Sequence, residues 1–330
     1  MAICQNAGLI NTYLQDPDEG YDSILIGTSL SGNFLSKNIA QKTSWKKTLK
    51  LTAPALSPLE QKSIAERALA TGNITHVFWE IFPLKYFQLQ NADPENNMYG
   101  DFPIYLYNKS RLDDYNYIFN MTTLAGAFSS LSDDEYSNIA SMDKINYWDN
   151  DCKTDKTCIP FRTAGKIAEM KSAYIHAHNE IPAADEVNAI NYSAADLNLL
   201  PTLLHHCNDN TRFDLFFPPV SMLWLATQEK NSFNYNVYLL RHIVGKVASC
   251  KNIRVYAFYN ELWITGDLAR YSDTVHFFGD AQDYIMESTG KGKHIITMDN
   301  IEEYEKTLIK NVNSYTPWAS TKEELHNSSH

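Results

Sequence analysis

A serine, a histidine and an aspartate can together move an acyl group. The histidine takes the serine proton and the aspartate holds the histidine in place. Ser29 stands just beyond the apolar run Ser23-Ile24-Leu25-Ile26, which breaks at Gly27-Thr28 and gives way to a polar stretch. A turn would explain that break, and so would a nucleophile presented at the end of a strand. The chain has ten histidines. One of them, His276 in "YSDTVHFFGD" (residues 271–280), follows Asp273 by three positions. At that spacing within one turn, two side chains share a face. Asp273 then accepts from one imidazole nitrogen while the other faces Ser29.

Other clusters suggest weaker chemistry. His176 and His178 are two apart in a helical context, where their side chains diverge. His205-His206-Cys207 offers soft ligands at a helix end, but no fourth partner has zinc-site spacing. No metal site is expected. Gly27-x-Ser29 would suit a phosphate cradle, yet the glycine spacing of a P-loop or a dinucleotide fingerprint is absent. A nucleotide-binding α/β protein is therefore a lower reading. Trp79 and Trp224 read as packing residues before sugar-stacking ones, and Asp214 as a structural residue opening a strand. Asn-x-Ser/Thr triplets such as those at Asn73 and Asn108 are expected by chance in an Asn-rich chain.

The elements that must position Ser29, Asp273 and His276 are legible as short apolar runs. Five stand out: Ser23–Ile26, Leu49–Leu51, His76–Ile81, Phe213–Phe217 and Ile253–Phe258. Each is nearly continuous in apolar character, as for strands covered on both faces. Helix-compatible segments lie between them, near 30–42, 57–71 and 229–250. The second opens with Ser57-Pro58, has Glu60 three residues after Ser57, and stops at Gly72. These are a capping-box start and a glycine end. Strand–helix alternation predicts an α/β fold with a central parallel sheet between helical layers. Residues 85–212 read as a mostly helical insertion or lid between the third and fourth strands, with helical periodicity at 163–179 and 194–206. The whole chain, 1–330, then reads as one domain with a frayed tail at 320–330. Ligands of such sheets bind beyond the carboxyl ends of the strands. That rim takes in Ser29, Ala53–Ala55, Glu80 and Pro218–Ser221. Asn33, Glu80, Pro219 and Ser221 are thus the candidates for touching substrate, although Pro218–Ser221 reads equally as a rigid turn.

Composition narrows the partners. The chain has 330 residues, 44% hydrophobic and 20% charged, with net charge -11. A chain this acidic lacks the basic surface that nucleic acids or anionic membranes need. Tyrosine is abundant, with 20 residues, and its rings stack on sugars as readily as they fill cores. No run of about 18 apolar residues is present, so no transmembrane helix is expected. No leader is visible at Met1-Ala2. That start fits a removed leader or anchor and equally a cytosolic chain. Among five cysteines, Cys152 and Cys158 flank the polar loop "CKTDKTC" and predict a small disulfide loop in an oxidising compartment. Cys207 and Cys250 are a possible second bridge.

"ILIGTSLS" early and "YSDTVHF" late resemble the first and last conserved blocks of the SGNH/GDSL hydrolase superfamily. "KLTAPALSPLEQ", "FPPVSMLW" and "DDYNYIFN" are similar to segments of its bacterial cell-envelope members. Those members include alginate-type O-acetylation proteins and DltD-like proteins. The resemblance covers roughly residues 21–300 and implies a three-layer, flavodoxin-like fold. It implies Ser29 as nucleophile, His276 as general base and Asp273 as its orienter. The Leu30 N–H, and the N–H of Ala55 where the superfamily has glycine, would be oxyanion donors. The usual third-block asparagine is missing: "FWEIFP" has Glu80 there, leaving Asn33 or Thr28 to supply a donor. The implied activity is esterase or O-acyl transfer on the O-acetyl groups of a polysaccharide or acyl-sugar, outside the cytoplasm in the periplasm or at the cell surface. It needs no cofactor and leaves room for a membrane acyl-donor protein. The alternative is a glycan-binding or scaffolding relative with weak or no turnover.

Overall fold

A computed structural model describes residues 2–88, 104–107 and 190–316. Six strands form one sheet: β1 (Ser23–Gly27), β2 (Thr48–Thr52), β3 (His76–Glu80), β4 (Arg212–Phe217), β5 (Ile253–Ala257) and β6 (Ile295–Ile296). Their order is β2-β1-β3-β4-β5-β6. The first five pair in parallel and β6 closes the edge antiparallel to β5. All five expected strands form within a residue or so of the expected bounds. The two-residue β6 is the addition, too short to leave a pattern. This α/β sheet, mostly parallel and flanked by helices, is compatible with a flavodoxin-like fold.

The strands hold because both faces are covered. Ile24, Leu25, Ile26, Val77, Phe78 and Trp79 are all fully buried. Phe78 and Phe216 stack at 4.2 Å, and Phe34 meets both edge-on at 5.8 and 5.6 Å. Such aromatic packing adds to area burial. Phe34 also leaves the Ser29 turn, so it nails the exit of that turn to the sheet. Trp79 donates to Gln61 Oε1 at 2.7 Å, and Trp224 packs on Phe82. Both tryptophans are packing residues. Asp214 is buried against Arg212 at 2.9 Å, a structural pair.

The helix Pro58–Leu69 starts as its sequence dictates. Ser57 Oγ accepts from the Glu60 N–H at 3.3 Å, and Glu60 accepts from the Ser57 N–H at 2.6 Å. The helix Lys230–Val247 fills the expected 229–250 span. The expected first helix differs: the chain makes a short 3-10 turn at Ser29–Ser31 and then a helix at Ser36–Lys42. The 194–206 stretch likewise splits into Ser193–Asn198 and Leu200–His205, broken at Leu199 and Pro201. Proline lacks the N–H that a continuous helix would need there.

Between β3 and β4 the described elements are the helices Pro83–Gln88, Ser193–Asn198 and Leu200–His205 and a short turn at Ile104–Tyr107. The Cys152–Cys158 loop, His176, His178, Asn108, "DDYNYIFN", residues 163–179 and the tail from 320 lie outside the described residues. Cys207 and Cys250 do form a disulfide, with Cα atoms 5.0 Å apart. The bond ties the end of helix Leu200–His205 to the entry of β5, and it fits an extracytoplasmic compartment. No helix among the described residues is long and apolar enough to cross a membrane.

The disulfide closes a 43-residue separation, which in the chain-entropy model is worth up to about 4 kcal/mol. A Cys207→Ala/Cys250→Ala double variant is therefore expected to unfold at clearly lower urea concentration, with a slope at least as steep because the uncross-linked denatured chain exposes more surface. An unchanged midpoint would show that the bond adds nothing to stability.

Candidate functional site

The sheet's order reverses between β1 and β3, whose carboxyl ends lie side by side. Ligands of open α/β sheets bind at such a switch point. Ser29 leaves β1 there. Its Oγ lies 2.7 Å from His276 Nε2, across 247 residues of chain. His276 Nδ1 lies 2.6 Å from Asp273 Oδ2. Ser29 is half-buried, and the His276 and Asp273 side chains are 27% and 31% exposed. Solvent can therefore reach them. All three residues expected to work together are brought together.

Asp273 builds its own loop. Its Oδ1 accepts from the backbone N–H groups of Val275 and His276, both at 2.8 Å. Burial pushes its carboxyl up, but bonds and charge from His276 and the two backbone donors outweigh that and hold the pKa down at about 2. Asp273 is thus ionised at neutral pH. It can only accept, so the Nδ1 proton points at it; in the neutral imidazole that tautomer makes Nε2 the acceptor for the Ser29 hydroxyl.

The loop is clamped from outside. Tyr271 and Phe277 form a bridge, and the Ser272 N–H donates to the His276 carbonyl at 2.9 Å. Tyr271 Oη donates to the Pro219 carbonyl at 2.6 Å, and Ser221 Oγ to the Thr274 carbonyl at 2.6 Å. Ser221 also caps the helix Met222–Ala226, accepting from the Trp224 N–H at 3.1 Å. Pro219 and Ser221 are buried, and Ser221 is fully engaged. Of the two sequence readings for Pro218–Ser221, the structure takes the rigid turn: it is a strut for the histidine loop, and substrate contact through Ser221 is corrected accordingly.

Glu80 needs a similar correction. It is 0% exposed and lies under the serine turn, out of substrate reach. It accepts from the Thr28 N–H at 3.1 Å, from Thr28 Oγ1 at 2.5 Å and from Ser31 Oγ at 2.5 Å. Desolvation raises its pKa, against those bonds and the proximity of His276. The fit is tight enough to dictate residue 27. A Cβ on Gly27 would come within 2.7 Å of Glu80 Oε2 and closer still to Ser31 Oγ. The question posed by the glycine at the strand end thus has a steric answer: only glycine lets the turn fold over Glu80. Buried Lys50 completes the support, donating to the Gly32 carbonyl at 2.7 Å.

The Leu30 N–H meets Thr28 Oγ1 at 3.3 Å, a long bond. Ala55 has φ 56°, the left-handed region that favours glycine. Its side chain is half-buried. Asn33 is buried and lines a cavity against the helix Gly279–Gly290. Cys207 is spent in its disulfide and His206 pairs with Asp209 at 3.1 Å. Among the described residues no group of three His, Cys, Asp or Glu side chains can hold a metal. What sequence reasoning missed was the support: Glu80 under the turn, and Tyr271 and Ser221 under the loop. Only the odd glutamate ending an apolar strand hinted at any of it.

Glu80→Gln keeps the shape and most of the bonds, so it should fold and retain Ser29–His276 coupling. Glu80→Ala orphans the Thr28 N–H and costs about 1–3 kcal/mol. Denaturant unfolding of both variants checks this, and equal losses would deny Glu80 its role. For Asp273 the folded pKa lies below the ordinary 3.8. Its stabilisation is therefore complete above that value and fades as pH falls toward 2. The stability gap between the protein and Asp273→Asn should shrink over that window, as acid-range unfolding curves would show. A pH-independent gap would contradict the ion-paired state.

No protein-family model matches the chain, and no curated protein matches it. A functional reading therefore rests on this geometry and on the resemblance of the two end segments.

Proposed function

We propose that the protein is a serine acyl-transfer enzyme acting on ester-linked acyl groups of an extracytoplasmic polysaccharide or acyl-sugar. The observation that carries this reading is the chain of contacts from Ser29 Oγ to His276 Nε2 at 2.7 Å and from His276 Nδ1 to Asp273 at 2.6 Å. As Ser29 Oγ attacks an ester carbonyl carbon, its proton passes to His276 Nε2. The carbonyl π electrons move to oxygen, giving a tetrahedral oxyanion. Collapse expels the alcohol, which takes the proton from His276 and leaves an acyl-serine. Water or a sugar hydroxyl then gives up a proton to His276 and attacks that ester, and Ser29 leaves with its proton restored. Hydrolysis and transfer differ only in this acceptor.

Backbone N–H groups of Leu30 and Ala55 are the oxyanion donors in this reading. Support comes from the long, weak bond that engages Leu30 and from the glycine-like backbone of Ala55. The acyl group is an O-acetyl group in the resemblance, and a membrane protein would be its donor in the transferase form. The disulfide between Cys207 and Cys250 fits the extracytoplasmic setting. One observation favours a second reading, a glycan-binding scaffold: Glu80 stands where the superfamily has an asparagine donor, and it is fully buried. Loss of one oxyanion donor can cost ~10²-fold in rate.

A fluorophosphonate is expected to form an adduct on Ser29, located by peptide mass spectrometry. Ser29→Ala should abolish it and His276→Ala should slow it by about 10³-fold or more. A folded protein that never labels would sink the enzyme reading and leave the scaffold.

A further inference from the structure

Both peptide units that flank the Ser29 Cα are held by hydrogen bonds. In the unit before it, the Thr28 carbonyl accepts from the Ser31 N–H at 3.1 Å. In the unit after it, the Ser29 carbonyl accepts from the Gly32 N–H at 3.0 Å, and the Leu30 N–H donates to Thr28 Oγ1 at 3.3 Å. Thr28 Oγ1 in turn donates to Glu80 Oε1 at 2.5 Å, and both residues are buried. A hydroxyl has a single proton. Because Thr28 gives its proton to the carboxyl, a lone pair is left for the Leu30 N–H. The bonds therefore run in one direction, from the Gly32 N–H through the peptide and the hydroxyl to Glu80. Bonds in such a chain polarise and strengthen one another, more so away from water.

We propose that the Thr28 hydroxyl is a positioning group for Ser29, keeping its Oγ on His276. A peptide unit is planar. Held at its carbonyl by Gly32 and at its N–H by Thr28, the unit after Ser29 has one orientation. With the unit before it also held, the direction in which the Ser29 side chain leaves the backbone is set. That direction brings Oγ to 2.7 Å from His276 Nε2. Valine has the shape of threonine without the hydroxyl, and serine has the hydroxyl without the methyl, so the two separate positioning from packing. Thr28 is also the cap of the turn Ser29–Ser31. Loss of a cap alone would be felt in stability, whereas loss of position is felt at His276. The consequence for rate rests on the acyl-transfer reading; the hold on the Ser29–His276 contact does not.

Two measurements on the full chain test this. Imidazole nitrogen NMR of His276, assigned by the signals lost in His276→Gln, reports the Ser29 bond with no substrate present. Ser29→Ala marks where those signals lie once the bond is gone. Thr28→Val should move them toward the Ser29→Ala position, and Thr28→Ser should leave them near their place in the unsubstituted protein. Fluorophosphonate labelling of Ser29 should show kinact lowered by about tenfold or more in Thr28→Val, as a shifted nucleophile implies. KI should stay the same, since Thr28 is too buried to touch the probe, and Thr28→Ser should restore kinact. Thermal unfolding identifies the folded variants. Should Thr28→Val not fold, Thr28→Ala leaves room for water against Glu80 and should show the same two losses. His276 signals that stay in place in the folded variant, or that move equally in Thr28→Ser, would overturn the positioning role; if Ser29 still labels, the acyl-transfer reading stands. Signals that move in Thr28→Val and not in Thr28→Ser, in a protein whose Ser29 never labels, would uphold the role and end that reading.

Discussion

A carboxyl with no water around it, Glu80, is the point on which the serine turn is built. Removing a carboxyl from water is expensive unless donors surround it. Thr28 and Ser31 provide three. Because those donors belong to residues 28 and 31, the backbone between them has one way to run, and Ser29 is the residue on its outer side. The same closeness excludes any side chain at residue 27. Strand end, glycine, threonine, serine and the second serine are thus one packed unit, set where β1 and β3 diverge.

The second half of the site arrives from the far end of the chain and is held by different means. Two clamps carry it, Tyr271 to the Pro219 carbonyl and Ser221 to the Thr274 carbonyl. Both reach back to the turn after β4, which is registered to β3 strand against strand. The sheet therefore transmits position from one half to the other. Register in a buried parallel sheet is rigid, since a slip would turn packed faces outward. A contact of 2.7 Å across 247 residues rests on that rigidity and on two clamping hydroxyls.

How much of this was legible in the sequence follows from which signals are local. The five parallel strands were, because strands covered on both faces are unbroken apolar runs. The start of Pro58–Leu69 was, because a capping box lies within four residues. Asp273 and His276 were, because their partnership spans one turn. Glu80 under the turn and Ser221 under the loop were not. Each is a polar residue whose partner lies 52 or 53 positions away, and no periodicity marks it. The helix-compatible segment 30–42 forms a helix only over Ser36–Lys42 for a related reason: Thr28 and Ser31 spend their hydroxyls on Glu80, which favours a tight turn at Ser29–Ser31. The Cys207–Cys250 bond was left open because spacing along the chain does not give distance between Cα atoms.

The two carboxyl groups near His276 are driven in opposite directions, and the division matters for what the site can do. Asp273 is partly exposed, bonded by its neighbours and held at about 2. Glu80 is sealed off and raised. Burial raises Glu80, while the hydrogen bonds from Thr28 and Ser31 and the nearby His276 oppose that rise. The Asp273 charge lies on the far side of the imidazole from Ser29, where it would favour the imidazolium that proton transfer from Ser29 would create.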